Sequence, residues 1–205
     1  MVGEQCTKSL DKNKIFIATD DSRIEEFCKN NNMNTAMTSK NCLTGTDRVY
    51  DFSKKNKYDI YINIQGDEPL IDPKDIKKII NLSFKYPDSI LNGMTKITNE
   101  TEYKSKNIPK VVTDKNNNLL YMSRAPIPSS KFNKMNKSYK QVCIYSFPRK
   151  YLQIFGKLKY KSKNEKIEDI EILRFLDNSI KVKMVEFSNT SIAVDTYTDL
   201  KKVRK

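Results

Sequence analysis

Two apolar stretches of this sequence run into an aspartate. Residues 60–64 (IYINI) lead through Gln65 and Gly66 to Asp67, and residues 191–194 (SIAV) lead directly to Asp195. In open α/β sheets, ligands bind beyond the carboxyl ends of the strands. Both aspartates are therefore candidates for one ligand-binding edge. Two hard carboxylate ligands with room for water suit Mg²⁺, which typically holds substrate phosphates as well. Gly66 lets the backbone approach such a ligand with no side chain in the way. The same aspartates also read as ordinary helix-cap or turn residues. Residue types and spacing leave both readings open, and reach as far as an α/β protein with a candidate Mg²⁺–phosphate site.

Composition removes several other chemistries. The 205 residues contain no histidine, so the commonest general base is missing. The four cysteines, Cys6, Cys28, Cys42 and Cys143, show no C-x-x-C spacing and have no histidine to complete a zinc set. A reduced, cytoplasmic protein is the expectation. The formal charge of +13 is spread over the whole chain in a general Lys/Asn bias, without aromatics interleaved in a basic cluster. No nucleic-acid partner is expected. No apolar run approaches the roughly 18 residues of a membrane span, and no signal-peptide pattern opens the sequence, so no membrane insertion is expected either.

The elements that must position the two aspartates follow from periodicity. "KIFIAT", "MNTAMTS" and "DIYINI" read as strands alternating with helices over "DDSRIEEFCKNNN", "LTGTDRVYDFSKK" and "DPKDIKKIINLSFKY". Asp20 or Asp21 caps the first of these helices. Thr46/Asp47 is read as the cap of the second, and Asp72 with Pro73 opens the third. This grammar predicts an α/β fold with a mostly parallel sheet. "ILNGMTKIT", "PKVVTD", "NLLYMSRAPIP" and "QVCIYSF" read instead as strands joined by turns, a small mixed or antiparallel insert on the sheet edge over about residues 107–150. The C-terminal part returns to α/β: one amphipathic helix over "NEKIEDIEILRFLDN", strands over "IKVKMVEF" and "SIAV", and a last helix with a Thr196/Asp199 capping box. Residues 1–205 are expected to form a single domain.

Seven blocks of the sequence carry a resemblance: "IFIATDDSRI", "MTSKNCLTGTDRVYDF", "NIQGDEPLIDP", "LLYMSRAPIP", "QVCIYSFPRKYL", "IEDIEILRFL" and "AVDTYTDLKKVR". In order and approximate spacing the chain resembles the 3-deoxy-manno-octulosonate cytidylyltransferases, from about Lys14 onward. The resemblance implies a Rossmann-like sheet of the nucleotide-diphospho-sugar transferase type. It also implies an activity: the sugar's anomeric hydroxyl attacks the α-phosphate of CTP, giving the CMP-sugar and pyrophosphate for lipopolysaccharide or other surface polysaccharide synthesis. It assigns Mg²⁺ to the catalytic pair Asp67 and Asp195. It assigns the acidic eight- or nine-carbon sugar to Gln65, Arg124, Gln141, Tyr145 and Glu171, and the nucleotide side to Ser39, Thr46 and Arg48. A homodimer formed through the mixed-strand region is the implied assembly.

Three departures qualify the resemblance. The family's opening strand and its basic, glycine-containing phosphate loop have no counterpart, so the sequence reads as starting in the following helix with the N-terminal strand missing. Gln141 stands where the family typically has histidine, and Ile172 where it commonly has glutamine. The alternatives these raise are a cytidylyltransferase for another ulosonic acid, such as the 8-amino or a sialic-acid-like sugar, and a truncated, non-catalytic sugar-binding paralogue.

Overall fold

The computed structural model describes residues 2–132, 135–188, 193–194 and 197–203. In chain order, α1 (Val2–Thr7), β1 (Ile17–Thr19), α2 (Ser22–Asn30), β2 (Thr35–Met37), α3 (Gly45–Lys55), β3 (Ile60–Ile64), α4 (Pro73–Lys85) and β4 (Ile90–Lys96) form the first half. Then come α5 (Glu100–Lys104), β5 (Lys110–Thr113), β6 (Leu119–Ser123), β7 (Tyr139–Pro148), α6 (Arg149–Lys157), α7 (Lys163–Glu168), α8 (Leu173–Asp177), β8 (Val182–Glu186) and α9 (Tyr197–Val203).

β1 and β2 form a parallel pair. β3 and β4 are both antiparallel to β7, and β8 is parallel to β4, so β3, β4 and β8 run in one direction. β5 and β6 extend the sheet as an antiparallel pair beyond the first residues of β7. The architecture is therefore the expected α/β sheet with an inserted set of strands. The insert differs from expectation in one respect: β7 lies inside the sheet, with β4 on one side and β5 and β3 on the other. The physical reason is burial on both faces. From Val142 to Phe147 its side chains feed two cores, Tyr145 and Phe147 on one face and Val142 and Ile144 on the other.

The first core gathers Tyr61, Met94, Tyr145, Phe147, Leu152, Phe155 and Phe175 under α3, α6 and α8. The second gathers Ile71, Ile76, Ile79, Leu91, Ile144 and Phe187 around α4. Phe52 of α3 ties the β1 side to β3, its ring centroid lying 5.2 Å from that of Phe16 and 6.3 Å from that of Tyr61.

Caps decide three boundaries. Asp21 accepts from the Arg23 N–H to start α2, and Asp72, followed by Pro73, accepts from the Lys74 N–H to start α4. α3 is capped two to three residues earlier than the sequence suggested: Thr44, not Thr46 or Asp47, is the N-cap and accepts from the Asp47 N–H at 3.2 Å.

The expected helix over 164–178 is broken into α7 and α8. Asp169 takes left-handed backbone angles, φ 52° and ψ 50°, which stop α7. Ile167, which the amphipathic stripe would have buried, is 71% exposed. Thr196 of the expected capping box and Ser191 and Ile192 of the "SIAV" segment lie outside the described residues.

Candidate active site

The site begins where β3 leaves the sheet. The Gln65 N–H still donates to the Cys143 carbonyl at 3.0 Å, the last rung of the ladder. The next donor of β7, the Cys143 N–H, would lose its partner there. Glu68, only 3% exposed, turns back and accepts it through Oε1 at 3.0 Å. The adjacent carboxylates thus have separate tasks. Glu68 closes the ladder, meeting a backbone donor that would otherwise be stranded, and Asp67 is left to border the site. Its charge is near enough to the Cys143 thiol and the Tyr145 hydroxyl to help burial raise both their pKa values. The Asp67 carbonyl accepts from the Val194 N–H at 2.8 Å, which brings the chain just before Asp195 to this strand end. Asp195 itself lies outside the described residues.

Glu171 is the second anchor. It sits in the break between α7 and α8, where a continuous helix would have left it to solvent. Its Oε1 accepts from Gln65 Nε2 at 2.6 Å and its Oε2 from the Thr46 N–H at 2.9 Å. The latter donor belongs to the first turn of α3, where the helix dipole favours an anion. Burial nevertheless raises the Glu171 pKa, against the lowering effect of hydrogen bonds from Thr46, Thr44 and Tyr145. Gly45 leaves room for this contact: a Cβ there would lie 2.6 Å from Gln65 Nε2, so that side-chain end would have to move.

Arg174 fixes the arrangement from behind. Fully buried, it makes two 2.6 Å bonds to the equally buried Glu165 and reaches Asp47 at 3.0 Å. Its guanidinium lies 3.8 Å from the centroid of the Phe155 ring. Asp47 also accepts from the Thr44 hydroxyl at 2.7 Å. The first turn of α3, which supplies Thr46, is thereby clamped to the α7–α8 pair that supplies Glu171.

By strand alternation Gln141, Cys143 and Tyr145 share one face of β7. Gln141 Nε2 donates to the Tyr145 hydroxyl at 3.2 Å, so Gln141, Tyr145, Glu171 and Gln65 form one connected polar array bordering Asp67.

Of the remaining sequence candidates, Thr46 reaches that array, while Arg48, Ser39 and Arg124 make their contacts elsewhere. Arg48 donates to Thr38 Oγ1 at 2.6 Å and pairs with Asp20 at 3.2 Å, and Ser39 donates its N–H to Asp51 at 2.9 Å. Asp20 follows β1, and Thr38 and Ser39 follow β2. Thr46 is fully buried and meets Glu171 through its backbone. Arg124 spends its guanidinium on carbonyls: Glu168 at 2.6 Å, Asp169 at 3.0 Å, Lys106 at 3.1 Å and Asn107 at 3.3 Å. It secures the loop before the α7–α8 break to the insert. Ile172, where a polar family residue was noted as absent, is fully buried in the first core.

Among the described residues no three His, Cys, Asp or Glu side chains are grouped to hold a metal ion. Sequence reasoning missed Glu68 as a ladder partner, Cys143 as a site neighbour, and Arg174 and Asn92 as supports. Their partners are remote in sequence, and only the "DEP" and "TGTD" turns hinted at special backbone demands.

Comparison with known proteins gives a consistent result. Residues 2–184 match the cytidylyltransferase family. The 3-deoxy-manno-octulosonate cytidylyltransferase of Fusobacterium nucleatum is 36% identical over 96% of this chain and 80% of its own length. The 8-amino-3,8-dideoxy-manno-octulosonate cytidylyltransferase of Shewanella baltica is 34% identical over 98% of this chain and 84% of its own. A solved structure of CMP:2-keto-3-deoxy-manno-octonic acid synthetase complexed with CTP superposes with a TM-score of 0.90 at 32% identity, covering 99% of this chain and 84% of that one.

Proposed function

Because the chain belongs to the cytidylyltransferase family, we propose that it transfers the cytidylyl group of CTP to the anomeric hydroxyl of 3-deoxy-manno-octulosonate. The hydroxyl oxygen bonds to the α-phosphorus, the α–β phosphoanhydride bond breaks, pyrophosphate leaves and the hydroxyl proton passes to water. Such a reaction asks chiefly for positioning and charge neutralisation, and a chain without histidine meets that demand. The observation that carries the reading is the polar array at the carboxyl end of β3, in which Gln65 and Glu171 are locked together at 2.6 Å beside Asp67.

In this reading Asp67 and Asp195 hold Mg²⁺. The donor chemistry fits, since both offer hard carboxylate oxygens. The Val194–Asp67 backbone bond supports bringing the two positions together. When bound, the ion neutralises phosphate charge and templates nucleotide and sugar. Gln65, Gln141, Tyr145 and Glu171 orient the sugar. The Arg124 guanidinium, spent on backbone carbonyls, shapes the neighbouring loop instead of meeting the sugar carboxylate, and Ser39, Thr46 and Arg48 are assigned to the nucleotide side. The name of the Shewanella baltica relative, an 8-amino-3,8-dideoxy-manno-octulosonate cytidylyltransferase, makes the 8-amino sugar the second reading.

We also propose a cytoplasmic homodimer supplying lipopolysaccharide or another surface glycan. Support for pairing through the insert comes from its exposed apolar groups, Leu120 at 59% on the outer strand β6 and Phe132 at 78%. Among the described residues no helix is long and apolar enough to cross a membrane.

The test is pyrophosphate release by the purified chain from CTP with Mg²⁺ and either sugar. Release that requires CTP, the sugar and the cation together is the expected result. Absence of release with both sugars contradicts the reading.

A further inference from the structure

Asn92 is fully buried on β4, at a point where the ladder with β7 is interrupted. Asn92 pairs with Tyr145 but the next residue, Gly93, pairs with Val142, so Cys143 and Ile144 fall between successive rungs. Irregularities of this kind re-aim side chains next to functional sites. Here the Asn92 side chain spans the gap. Its Nδ2 donates to the Val142 carbonyl at 3.1 Å and to the Ile144 carbonyl at 3.0 Å.

That contact settles a chain of orientations. Backbone carbonyls only accept, so the Asn92 amide nitrogen must face them and its Oδ1 must face the other way. Oδ1 meets Gln141 at 2.9 Å, and an oxygen there requires the donor end of Gln141. The second N–H of the same Gln141 nitrogen goes to the Tyr145 hydroxyl at 3.2 Å. Tyr145 accepts there, with the Cys143 thiol and the Glu171 carboxylate as the neighbours of its hydroxyl. Gln141 is only partly buried, and among the described residues no donor reaches its Oε1. Both of its N–H groups are committed, and what remains is an acceptor.

We propose that Asn92 is a positioning residue that fixes the Gln141 amide, making Gln141 a specificity determinant that accepts a hydrogen bond from a donor group of the sugar substrate. This rests on the cytidylyltransferase reading above. The substrate group facing residue 141 is a hydroxyl or an amine, and carbonyl, carboxylate and phosphate oxygens are rejected there. A histidine could present either a donor or an acceptor nitrogen and could gain charge. The clamped glutamine offers one neutral acceptor at every pH.

The test replaces Gln141 by methionine, which keeps length and removes the acceptor, and measures turnover together with sugar binding by calorimetry. Gln141→Met is expected to raise the KM and Kd for the sugar about tenfold, the scale of one unpaired donor, with the KM for CTP within about twofold. Asn92→Ala frees the amide to turn and is expected to weaken sugar binding similarly. Adding Gln141→Met to Asn92→Ala then costs little more, because the two act as one unit. Should Asn92→Ala fail to fold, the Gln141 variant alone decides.

Comparing the octulosonate with its 8-amino analogue locates the donor. Equal losses assign a hydroxyl common to both, and a larger loss with one sugar assigns carbon 8; either supports the proposal. Unchanged sugar affinity in Gln141→Met, an equal rise in the KM for CTP, or fully additive effects of the two substitutions overturn it. Wild-type chain that binds the sugar without turnover sinks the proposed reaction but still tests Gln141 through Kd. Wild-type chain that binds neither sugar sinks both.

Discussion

The Val194 N–H donates to the carbonyl oxygen of Asp67 at 2.8 Å, joining the segment before Asp195 to the end of β3. This one backbone bond ties together the two aspartate-terminated stretches with which the sequence opens its chemical case. It also explains why "GDEP" needs two carboxylates. Glu68 is consumed by the Cys143 N–H, so Asp67 remains at the edge where Val194 arrives.

Glu171 provides a pH signature. Burial raises its pKa above the ordinary 4.5, so between 4.5 and the raised value the folded protein holds a proton that the unfolded chain has lost. Stability therefore falls as pH rises through that window. Glu171→Gln is expected to flatten this part of the melting-temperature profile and to lower kcat/KM by about a hundredfold, since an amide cannot accept at both oxygens. Melting curves from pH 4 to 8 beside initial rates check both effects. An unchanged profile would place the titration elsewhere.

Gly45→Ala separates activity from stability. The added Cβ would lie 2.6 Å from Gln65 Nε2 and push that side chain off Glu171. Alanine at a helix start is favoured over glycine by up to about 1 kcal/mol. Activity is expected to drop at least tenfold with little change in denaturation midpoint.

Arg174→Met leaves Glu165 buried and unpaired at zero exposure. Breaking a buried ion pair on one side costs about 3–5 kcal/mol, a large share of a typical domain's stability. Denaturant unfolding should show this loss. Arg174→Lys should recover only part of it, because a single ammonium cannot reproduce the two-pronged bond to Glu165.

Lys110→Met tests the support of the Arg124 loop. The Lys110 ammonium donates to the carbonyls of Ser105, Ile108 and Arg124 at 2.6, 2.7 and 2.6 Å. Methionine fills the space but strands all three acceptors, an expected loss of about 3 kcal/mol or more. Equilibrium unfolding measures it.

Much of the site was legible because strand ends and caps are local. The run from Ile60 to Ile64 stops at Gln65–Gly66 for chain-geometric reasons that a sequence displays, and Asp72–Pro73 announces α4 openly. Glu171 was legible as a site residue only through family resemblance. Its helical spacing continues unbroken through Asp169, and the contacts that justify the break, with Gln65 and the Thr46 N–H, come from far earlier in the chain. The place of β7 was hidden for a similar reason. A strand's alternation tells which face is apolar, not which strands lie beside it, so its interior position emerges only once β3, β4 and β5 are paired to it. Asn92 gave no sign at all, since a lone asparagine in a strand shows its value only when the ladder beside it is interrupted.

The most direct test follows CMP-sugar formation by mass spectrometry, using the purified chain, CTP, 3-deoxy-manno-octulosonate and a titration of Mg²⁺, in wild type and in Asp67→Asn. The expected result is Mg²⁺-dependent product in wild type, abolished by chelation and reduced at least a hundredfold in Asp67→Asn, with the folded state intact. Product formed equally well by Asp67→Asn, or formed without the cation, would contradict the assignment of the β3 end as the place where CTP is split.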